Sequence, residues 1–385
     1  MRADREYFTD LLSRLVRINS INPAFSEGAT DEREIAAFVA EEMERLGMAA
    51  ERFEPEPGRA SVLGRLAGAG SGRSLMLYAH ADTVGVEGMA DPFSGEVRDG
   101  RVYGRGAYDM KGGLAACLAA VKALRDAGAR LRGDLLIAAV ADEEVASLGM
   151  ADLLTRATAD AAIVTEPTEM RVCLAHKGFV WVEVETHGRA AHGSRFQDGV
   201  DANMRMGRFL ARLDGLEREL RASAPHPLVG PPSLHAAVLR GGTGTSTYAA
   251  HCRLEIERRT IPGETEELVL SQLRSISGAL AAEDPTFRAD VRTMLARGSF
   301  EAPADAPVVR AVLAAAAEVL GREPETIGEP YWMDTALIAD AGIAAVAFGA
   351  RGAGAHADEE WADVDSHVQL VEVLARAAAE FCGQA

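Results

Sequence analysis

The sequence predicts an α/β protein with a mixed, mainly parallel sheet between helices. Four apolar runs that lead to acidic or histidine residues indicate buried strands: SLMLYA before His80, LLIAAVA before Asp142, AAIV before Thr165, and AAVAFG in the segment that leads to His356. Apolar runs of this length, bounded by turn residues, are typical of parallel strands buried on both faces. Ligand-type residues are therefore expected at the carboxyl edge of one sheet, where open α/β sheets build their sites.

The length and composition indicate a globular protein of two domains. The chain has 385 residues, which exceeds the size at which a single hydrophobic core usually stops growing. Hydrophobic residues make up 48% and charged residues 25%, as in ordinary globular proteins. The formal net charge of -18 disfavours nucleic acids and anionic membranes as partners, because binding to either requires a basic surface.

The N-terminus and the cysteines favour a cytoplasmic location. The first twenty residues lack a secretory core and cleavage site, and no apolar stretch approaches membrane-spanning length. The cysteines have no paired spacing, which favours reduced, buried thiols over a disulfide framework; they are Cys117, Cys173, Cys252 and Cys382.

Helical patterns alternate with the strand runs, as an α/β sheet requires. Apolar residues at helical spacing predict helices at residues 8–16, 35–43, 114–124, 148–156, 308–320 and 368–381. A different pattern begins after Lys177, where FVWVEVETH alternates between apolar and polar residues and predicts a half-exposed antiparallel strand.

The segment after Lys177 predicts a second domain inserted within the first. A helix at 201–221, the strands LHAAVL and CRLEIE, and a helix with an apolar stripe at 269–280 follow the alternating strand. Two helices and three or four such strands predict a small α+β layer with an open sheet. The predicted boundaries are 1–177 and 292–385 for the first domain and 178–291 for the insertion.

His80 and Asp82 form the first candidate pair for chemistry. They are two residues apart at the end of an extended run, so both side chains leave on the same side of the strand. A carboxylate beside an imidazole can fix its tautomer for metal binding. The alternative is a structural histidine hydrogen-bonded to a nearby acid.

Asp109 is the only acid in a glycine-rich loop, directly ahead of a predicted helix. Glycine allows a close approach of the backbone and a positive φ. One alternative is that Asp109 only caps the helix. A nucleotide-binding loop is disfavoured, because Asp109 stands where that motif requires its third glycine and no phosphate-binding lysine motif occurs.

Three adjacent acids, Asp142, Glu143 and Glu144, follow an apolar strand, where their repulsion raises pKa values unless a cation intervenes. One carboxylate could bind a metal while its neighbour transfers protons; a solvated acidic loop is an equal alternative for this segment alone. Glu166 and His356 follow other strand runs, and together these residues favour a metal site.

The ordered motifs resemble the co-catalytic zinc amidohydrolase family that includes acetylornithine deacetylase, succinyl-diaminopimelate desuccinylase, aminoacylase and glutamate carboxypeptidase. The matching motifs are His80-x-Asp82, Gly104-Arg105-Gly106-x-x-Asp109-Met110-Lys111-Gly112-Gly113, Glu143-Glu144, Glu166-Pro167 and Gly354-Ala355-His356. The resemblance extends from Asn22-Pro23 to the C-terminal helix. It implies a zinc-peptidase-like catalytic domain with a lid and dimerisation domain inserted at Lys177-Gly178.

The resemblance implies two divalent metal ions per chain. Asp109 would bridge them, His80 and Glu166 would complete one ligand set, and Glu144 and His356 would complete the other. Nitrogen and oxygen ligands without thiolate suit Zn²⁺, with Co²⁺ or Mn²⁺ as replacements.

The resemblance implies four further roles. Glu143 would be the general base, and Asp82 would orient His80. His192 in GRAAHGS would stabilise the oxyanion in the partner subunit of a homodimer, and Arg259 in ERRTIPGET would grip a substrate carboxylate. Without the resemblance, His192 is a surface loop residue and Arg259 a member of a surface salt bridge.

The expected activity is hydrolysis of the amide bond in a small N-acyl amino acid. The alternatives are a dipeptidase or carboxypeptidase of the same family and, from another class, a metal-binding scaffold without activity. Three departures from the family pattern, Ser246, Phe196 and Arg351, affect the expected substrate and leave the proposed ligands unchanged. Trp332 and Asp334 lie in a family motif, and we assign them no role.

Overall fold

The computed structural model describes residues 1–25 and 30–384 and divides the chain into two compact units. The first unit contains Met1–Leu174, Ala302–Ile327 and Met333–Ala385; the second contains Ala175–Glu301 and Gly328–Trp332. The second unit is thus an insertion in the first.

The helices of the described residues are α1 (Arg5–Arg17), α2 (Arg33–Arg45), α3 (Gly112–Asp126), α4 (Leu148–Arg156), α5 (Ala202–Ala222), α6 (Glu266–Glu283), α7 (Pro307–Leu320), α8 (Thr335–Asp340) and α9 (Val364–Cys382). The strands are β1 (Ala49–Phe53), β2 (Ser61–Leu66), β3 (Leu75–His80), β4 (Glu96–Arg98), β5 (Arg101–Tyr103), β6 (Leu135–Val140), β7 (Ala161–Val164), β8 (Val172–His176), β9 (Gly178–His187), β10 (Ser233–Gly241), β11 (His251–Thr260), β12 (Ala289–Arg297), β13 (Phe300–Glu301), β14 (Thr326–Glu329), β15 (Ala344–Ala347), β16 (Gly352–Ala353) and β17 (Trp361–Asp363).

The main sheet has the strand order β1-β2-β6-β3-β7-β15-β8-β13, and β14 also pairs with β8. Its four central strands, β6, β3, β7 and β15, run parallel, whereas β2 and β8 are antiparallel to their central neighbours. Every residue of β3, β6 and β7 is buried, as their apolar sequences predict. The predicted mixed sheet is confirmed, and its parallel strands end at one edge.

Helix α3 lies in the core of the first unit. Its residues from Gly112 to Leu124 are buried except Lys122, and it packs against β3 and α9. A helix that is apolar on nearly all sides belongs in such a position. No helix of the described residues has the length and apolar character needed to cross a membrane. The cysteines are free and buried, as predicted.

A small antiparallel sheet, β16-β17-β5-β4, lies in the first unit and was not predicted. Strand β5 leads directly into the glycine-rich loop at Gly104, and β16 leads into Gly354 and His356. Trp361 of β17 pairs with both Tyr103 of β5 and Ala353 of β16. This sheet therefore brings the Asp109 loop and the His356 loop together, although they are far apart in the sequence.

The second unit is a four-stranded antiparallel sheet in the order β10-β11-β9-β12, with helices α5 and α6 packed on one face. Val180, Val182 and Val184 of β9 are buried in its core, and the residues between them face away. The predicted open sheet with two helices is confirmed. The predicted end of the insertion, residue 291, falls inside β12.

Candidate metal centre

The carboxyl ends of the parallel strands carry His80 and the acids that the sequence singled out after β6 and β7. His80 is the last residue of β3, and its side chain is 1% exposed. Glu143 and Glu144 follow β6, and Glu166 follows β7. His356 lies after β16 with about half of its side chain exposed, 53%. The site therefore has a closed side at His80 and an accessible side at His356.

Asp109 lies between the two histidines. Its Oδ1 is 3.3 Å from His80 Nε2, and its Oδ2 is 3.3 Å from His356 Nε2. Burial raises the pKa of Asp109, but hydrogen bonds from His356 and His80 outweigh burial and leave the pKa below its ordinary value. A carboxylate whose oxygens face different imidazoles has the arrangement of a ligand that bridges two cations.

One further carboxylate lies beside each histidine. Glu166 Oε1 is 3.6 Å from His80 Nε2, and Glu144 Oε2 is 3.2 Å from His356 Nε2. Two groups offer ligand atoms within 4.8 Å of one another: His80 with Asp109 and Glu144, and His80 with Glu143 and Glu166. Glu143, assigned only to proton transfer from the sequence, thus also lies within ligating distance of His80.

The crowded carboxylates favour a cation. The pKa values of Glu143, Glu144 and Glu166 all lie above the ordinary value; burial is the largest cause, and the charges of neighbouring carboxylates add to it. Glu144 Oε1 is buried without a hydrogen-bond partner among the described residues. Because imidazole and carboxylate donors suit Zn²⁺ and similar ions, these residues fit the metal centre that the sequence predicts.

Asp82 connects the end of β3 to the turn that carries the acids. Its carboxylate accepts hydrogen bonds from the backbone N–H groups of Glu143 and Glu144, at 3.1 and 3.3 Å. His80 Nδ1 lies 3.0 Å from the Asp82 carbonyl oxygen and 3.6 Å from its Oδ1. The carbonyl is therefore the closer partner of the imidazole, and the carboxylate positions the acids.

A polar network behind Asp82 was not predicted. Asn22 Nδ2 donates to Asp82 Oδ2 at 3.0 Å and to Asp142 Oδ1 at 2.9 Å, and Arg59 donates to Asn22 Oδ1 at 2.7 Å. The contacts join segments distant in sequence, so no local pattern indicates them. Through these hydrogen bonds Asn22 connects the turn after β3 to the turn after β6.

Glu360 is the main site residue that the sequence analysis missed. Its buried carboxylate accepts hydrogen bonds from three backbone N–H groups, those of Gly106, Tyr108 and Asp109, at 2.9 to 3.0 Å. It also accepts one from Arg105 Nη1 at 2.7 Å. One side chain thus fixes the loop that carries Asp109. Glu360 directly precedes β17 of the small sheet, whose strands are too short to give a periodic signal in the sequence.

Asp334, to which we assigned no role, lies close to the acids. It is fully buried, accepts a hydrogen bond from Tyr78 Oη at 2.6 Å, and has a pKa raised to about 6 by burial. Its charge contributes to the raised pKa of Glu143 and Glu166. Asp334 thus adds negative charge on the Glu143 side of the centre.

His192, Arg259 and Trp332 belong to the second unit. His192 is exposed, and its Nδ1 lies 2.8 Å from Ser194 Oγ. Arg259 forms an ion pair of 2.9 Å with Glu257 and lies over the Phe179 ring. The roles of His192 and Arg259 remain predictions.

The fold and the site define a metal-dependent hydrolase with an inserted domain. Residues 76–380 match the model of Peptidase family M20/M25/M40, and the chain belongs to that family. It is 34% identical over 353 residues to acetylornithine deacetylase of Myxococcus xanthus, covering 89% of this chain and 90% of the relative.

Two other proteins resemble the chain over most of its length. It is 28% identical over 382 residues to N-formyl-4-amino-5-aminomethyl-2-methylpyrimidine deformylase of Bacillus subtilis, covering 91% of this chain and 89% of the relative. The crystal structure of a dinuclear metal binding peptidase of family M20, also from Bacillus subtilis, matches with a TM-score of 0.73 and 16% identity over 97% of each chain. This last match supports the fold.

Proposed function

We propose that the protein uses two divalent metal ions to hydrolyse the amide bond of a small N-acyl amino acid. The observation that carries the proposal is the position of Asp109, whose two oxygens face His80 and His356 at 3.3 Å. Glu166 and Glu144 complete a donor set on either side. The likeness to acetylornithine deacetylase of Myxococcus xanthus supports a deacylase.

These residues suit divalent ions such as Zn²⁺, with Co²⁺ or Mn²⁺ as replacements, which would polarise the scissile carbonyl and acidify a water when bound. His80 and Glu166 would hold one ion, Glu144 and His356 would hold the other, and Asp109 would contribute to both sets. Asp82 positions the proposed ligand Glu144 and its neighbour Glu143 through hydrogen bonds from their backbone amides.

Glu143 acts as the general base in this proposal. Its carboxylate lies among the proposed ligands, and burial raises its pKa above the ordinary range of glutamate. A more basic carboxylate is better matched to proton transfer near neutral pH. Glu143 accepts the proton of the attacking water at a carboxylate oxygen and then donates it to the leaving nitrogen.

The second unit supplies substrate binding and the dimer contact. Arg259 binds the carboxylate of the amino acid, for which its planar guanidinium is suited. His192, which is exposed on a loop, stabilises the oxyanion in the site of a second copy of the chain. The four free, buried cysteines agree with action in the cytoplasm.

A peptidase that acts on dipeptides is the second candidate. The family model that matches residues 76–380 is a peptidase model, and a solved structure with this fold is a peptidase. Both activities use the same attack on an amide carbonyl. The substrates differ in the acyl group of the scissile amide. In a dipeptide this group belongs to an amino acid, whereas in an N-acyl amino acid it is a group such as acetyl, succinyl or formyl.

An amine-release screen separates these candidates. Metal-loaded protein is incubated with N-acetyl, N-succinyl and N-formyl amino acids and with dipeptides, and Glu143→Gln protein prepared in parallel reports contaminating activity. We expect the highest kcat/KM on one of the N-acyl amino acids. Preference for dipeptides would establish the second candidate, and no amide hydrolysis on any panel by fully loaded protein would reject both.

A further inference from the structure

A second group of metal-ligating side chains lies in the second unit, on the face of the sheet opposite α5 and α6. Glu185 and His187 are two residues apart in β9, so both side chains point away from the buried Val182 and Val184. His251 of β11 pairs directly with His187, and Asp290 of β12 pairs directly with Glu185. Three neighbouring strands thus present two imidazoles and two carboxylates together.

The donor atoms of these residues are close together. His251 Nδ1 lies 3.1 Å from Glu185 Oε1, and His187 Nε2 lies 2.8 Å from Asp290 Oδ2. The donor atoms of Glu185, His187 and His251 all lie within 4.8 Å of one another. Zn²⁺ bonds of about 2.0–2.2 Å place tetrahedral ligands roughly 3.3–3.6 Å apart. The two contacting pairs are already near that spacing.

The two contacting pairs would have to be drawn together around one ion. The register fixes the strand backbones, so rotation of the side chains would have to draw the two pairs together. The side chains have room to rotate, because His251 is 64% exposed, Asp290 75% and His187 31%. The competing cation, Arg253, lies 3.4 Å from Glu185 Oε1 in a surface ion pair, an interaction that contributes little to stability.

We propose that Glu185, His187, His251 and Asp290 form a binding site for one divalent transition-metal ion of the Zn²⁺ class, separate from the centre at Asp109. Two imidazoles and two carboxylates are a donor set that Zn²⁺ accepts in tetrahedral geometry. A bound ion cross-links β11, β9 and β12. Its role is structural: it binds the folded sheet and not the unfolded chain, and so stabilises the second unit.

His235 provides a matched control for His251. It lies on β10 of the same sheet, its side chain is 61% exposed against 64% for His251, and it lies 3.7 Å from a glutamate, Glu257. It has no second histidine beside it in the register, because its direct partner in β11 is Glu257. His235→Ala therefore removes an equally exposed imidazole without touching the proposed site.

The test is a zinc count on the full-length protein, freed of metal and equilibrated at a fixed, micromolar free Zn²⁺ concentration. We expect wild type and His235→Ala to bind one equivalent more than either His251→Ala or His187→Ala. We also expect a zinc-dependent rise in Tm that is larger in wild type than in His251→Ala. Equal zinc contents in all four proteins would overturn the proposal.

The Asp109→Ala background separates this site from the proposed active site. We expect the double variant Asp109→Ala/His251→Ala to bind one zinc equivalent fewer than Asp109→Ala. This difference would establish the second site, whatever metal the Asp109 centre binds. If the double variant and Asp109→Ala bind the same amount of zinc, the proposal of a second site is wrong. That result would leave the proposed function untouched, because the function has its own tests.

Discussion

The Nε2 atoms of His80 and His356 each lie 3.3 Å from a different oxygen of one carboxylate, that of Asp109. The two histidines are 276 residues apart in the sequence, and different elements of the fold position them. His80 ends a buried parallel strand, whereas His356 is placed by the small antiparallel sheet that also leads into the Asp109 loop. The proposed two-metal centre rests on this relationship.

Replacement of the proposed base, Glu143→Gln, tests its role. The amide keeps the shape of the side chain but cannot accept the proton, so we expect kcat to fall by at least ~100-fold, the usual scale for loss of a general base. Metal content should stay near that of wild type. The ligand atoms of Glu143, His80 and Glu166 lie within 4.8 Å of one another, so Glu143 could also bind a metal ion. Loss of metal in this variant would therefore identify Glu143 as a ligand.

Glu360→Gln tests whether the loop clamp supports the metal centre. Glutamine offers one acceptor oxygen in place of two, so it cannot receive all the hydrogen bonds from Arg105, Gly106, Tyr108 and Asp109. We expect metal affinity to fall by about 10- to 100-fold, as for residues that support ligands indirectly. Glu359→Gln, a change at the exposed neighbouring residue, is the control. Unchanged affinity in Glu360→Gln would show that the loop holds its position without the clamp.

Mixing two inactive variants tests the proposed contribution of His192 to a partner subunit. His192→Ala chains keep Glu143, and Glu143→Gln chains keep His192, so a mixed dimer has one site with both groups. We expect part of the activity to return after mixing. The measurement requires proof of subunit exchange by labelled chains. Exchange without recovery would restrict His192 to its own chain or remove it from catalysis.

Arg259→Ala tests whether the substrate carries a free carboxylate. A charge-assisted hydrogen bond contributes roughly 1.5–3 kcal/mol, so kcat/KM should fall by about 10- to 100-fold on the acid. The matching carboxamide should lose much less. Arg253→Ala, on the same face of β11, is the control. Equal losses on acid and amide would reopen the substrate class.

The sequence could predict the part of the site that depends on strand ends. Buried parallel strands place their carboxyl ends at one edge, so the acids and His80 were expected together, and their distances confirm it. Glu360 could not be predicted in this way. It acts through backbone amides of a loop about 250 residues away, and the small sheet beside it is built from strands of two or three residues, too short for a periodic signal.

In the second unit, too, the sequence predicts a local feature but not the contacts between distant strands. The alternation in FVWVEVETH predicted which face of β9 is buried, because side chains in a strand point to opposite faces in turn. The pairing of His187 with His251 and of Glu185 with Asp290 depends on strand register across about 64 and 105 residues, which the alternation does not contain.

The most direct test of the two-metal centre is the metal content of Asp109→Ala protein, measured beside wild type after reconstitution and removal of excess ion. Asp91→Ala, at an exposed loop position, is the control. Because one carboxylate faces both histidines, we expect Asp109→Ala to bind two equivalents per chain fewer than wild type, with the fold intact by circular dichroism. A variant that retains all the metal of wild type would contradict the bridging role of Asp109.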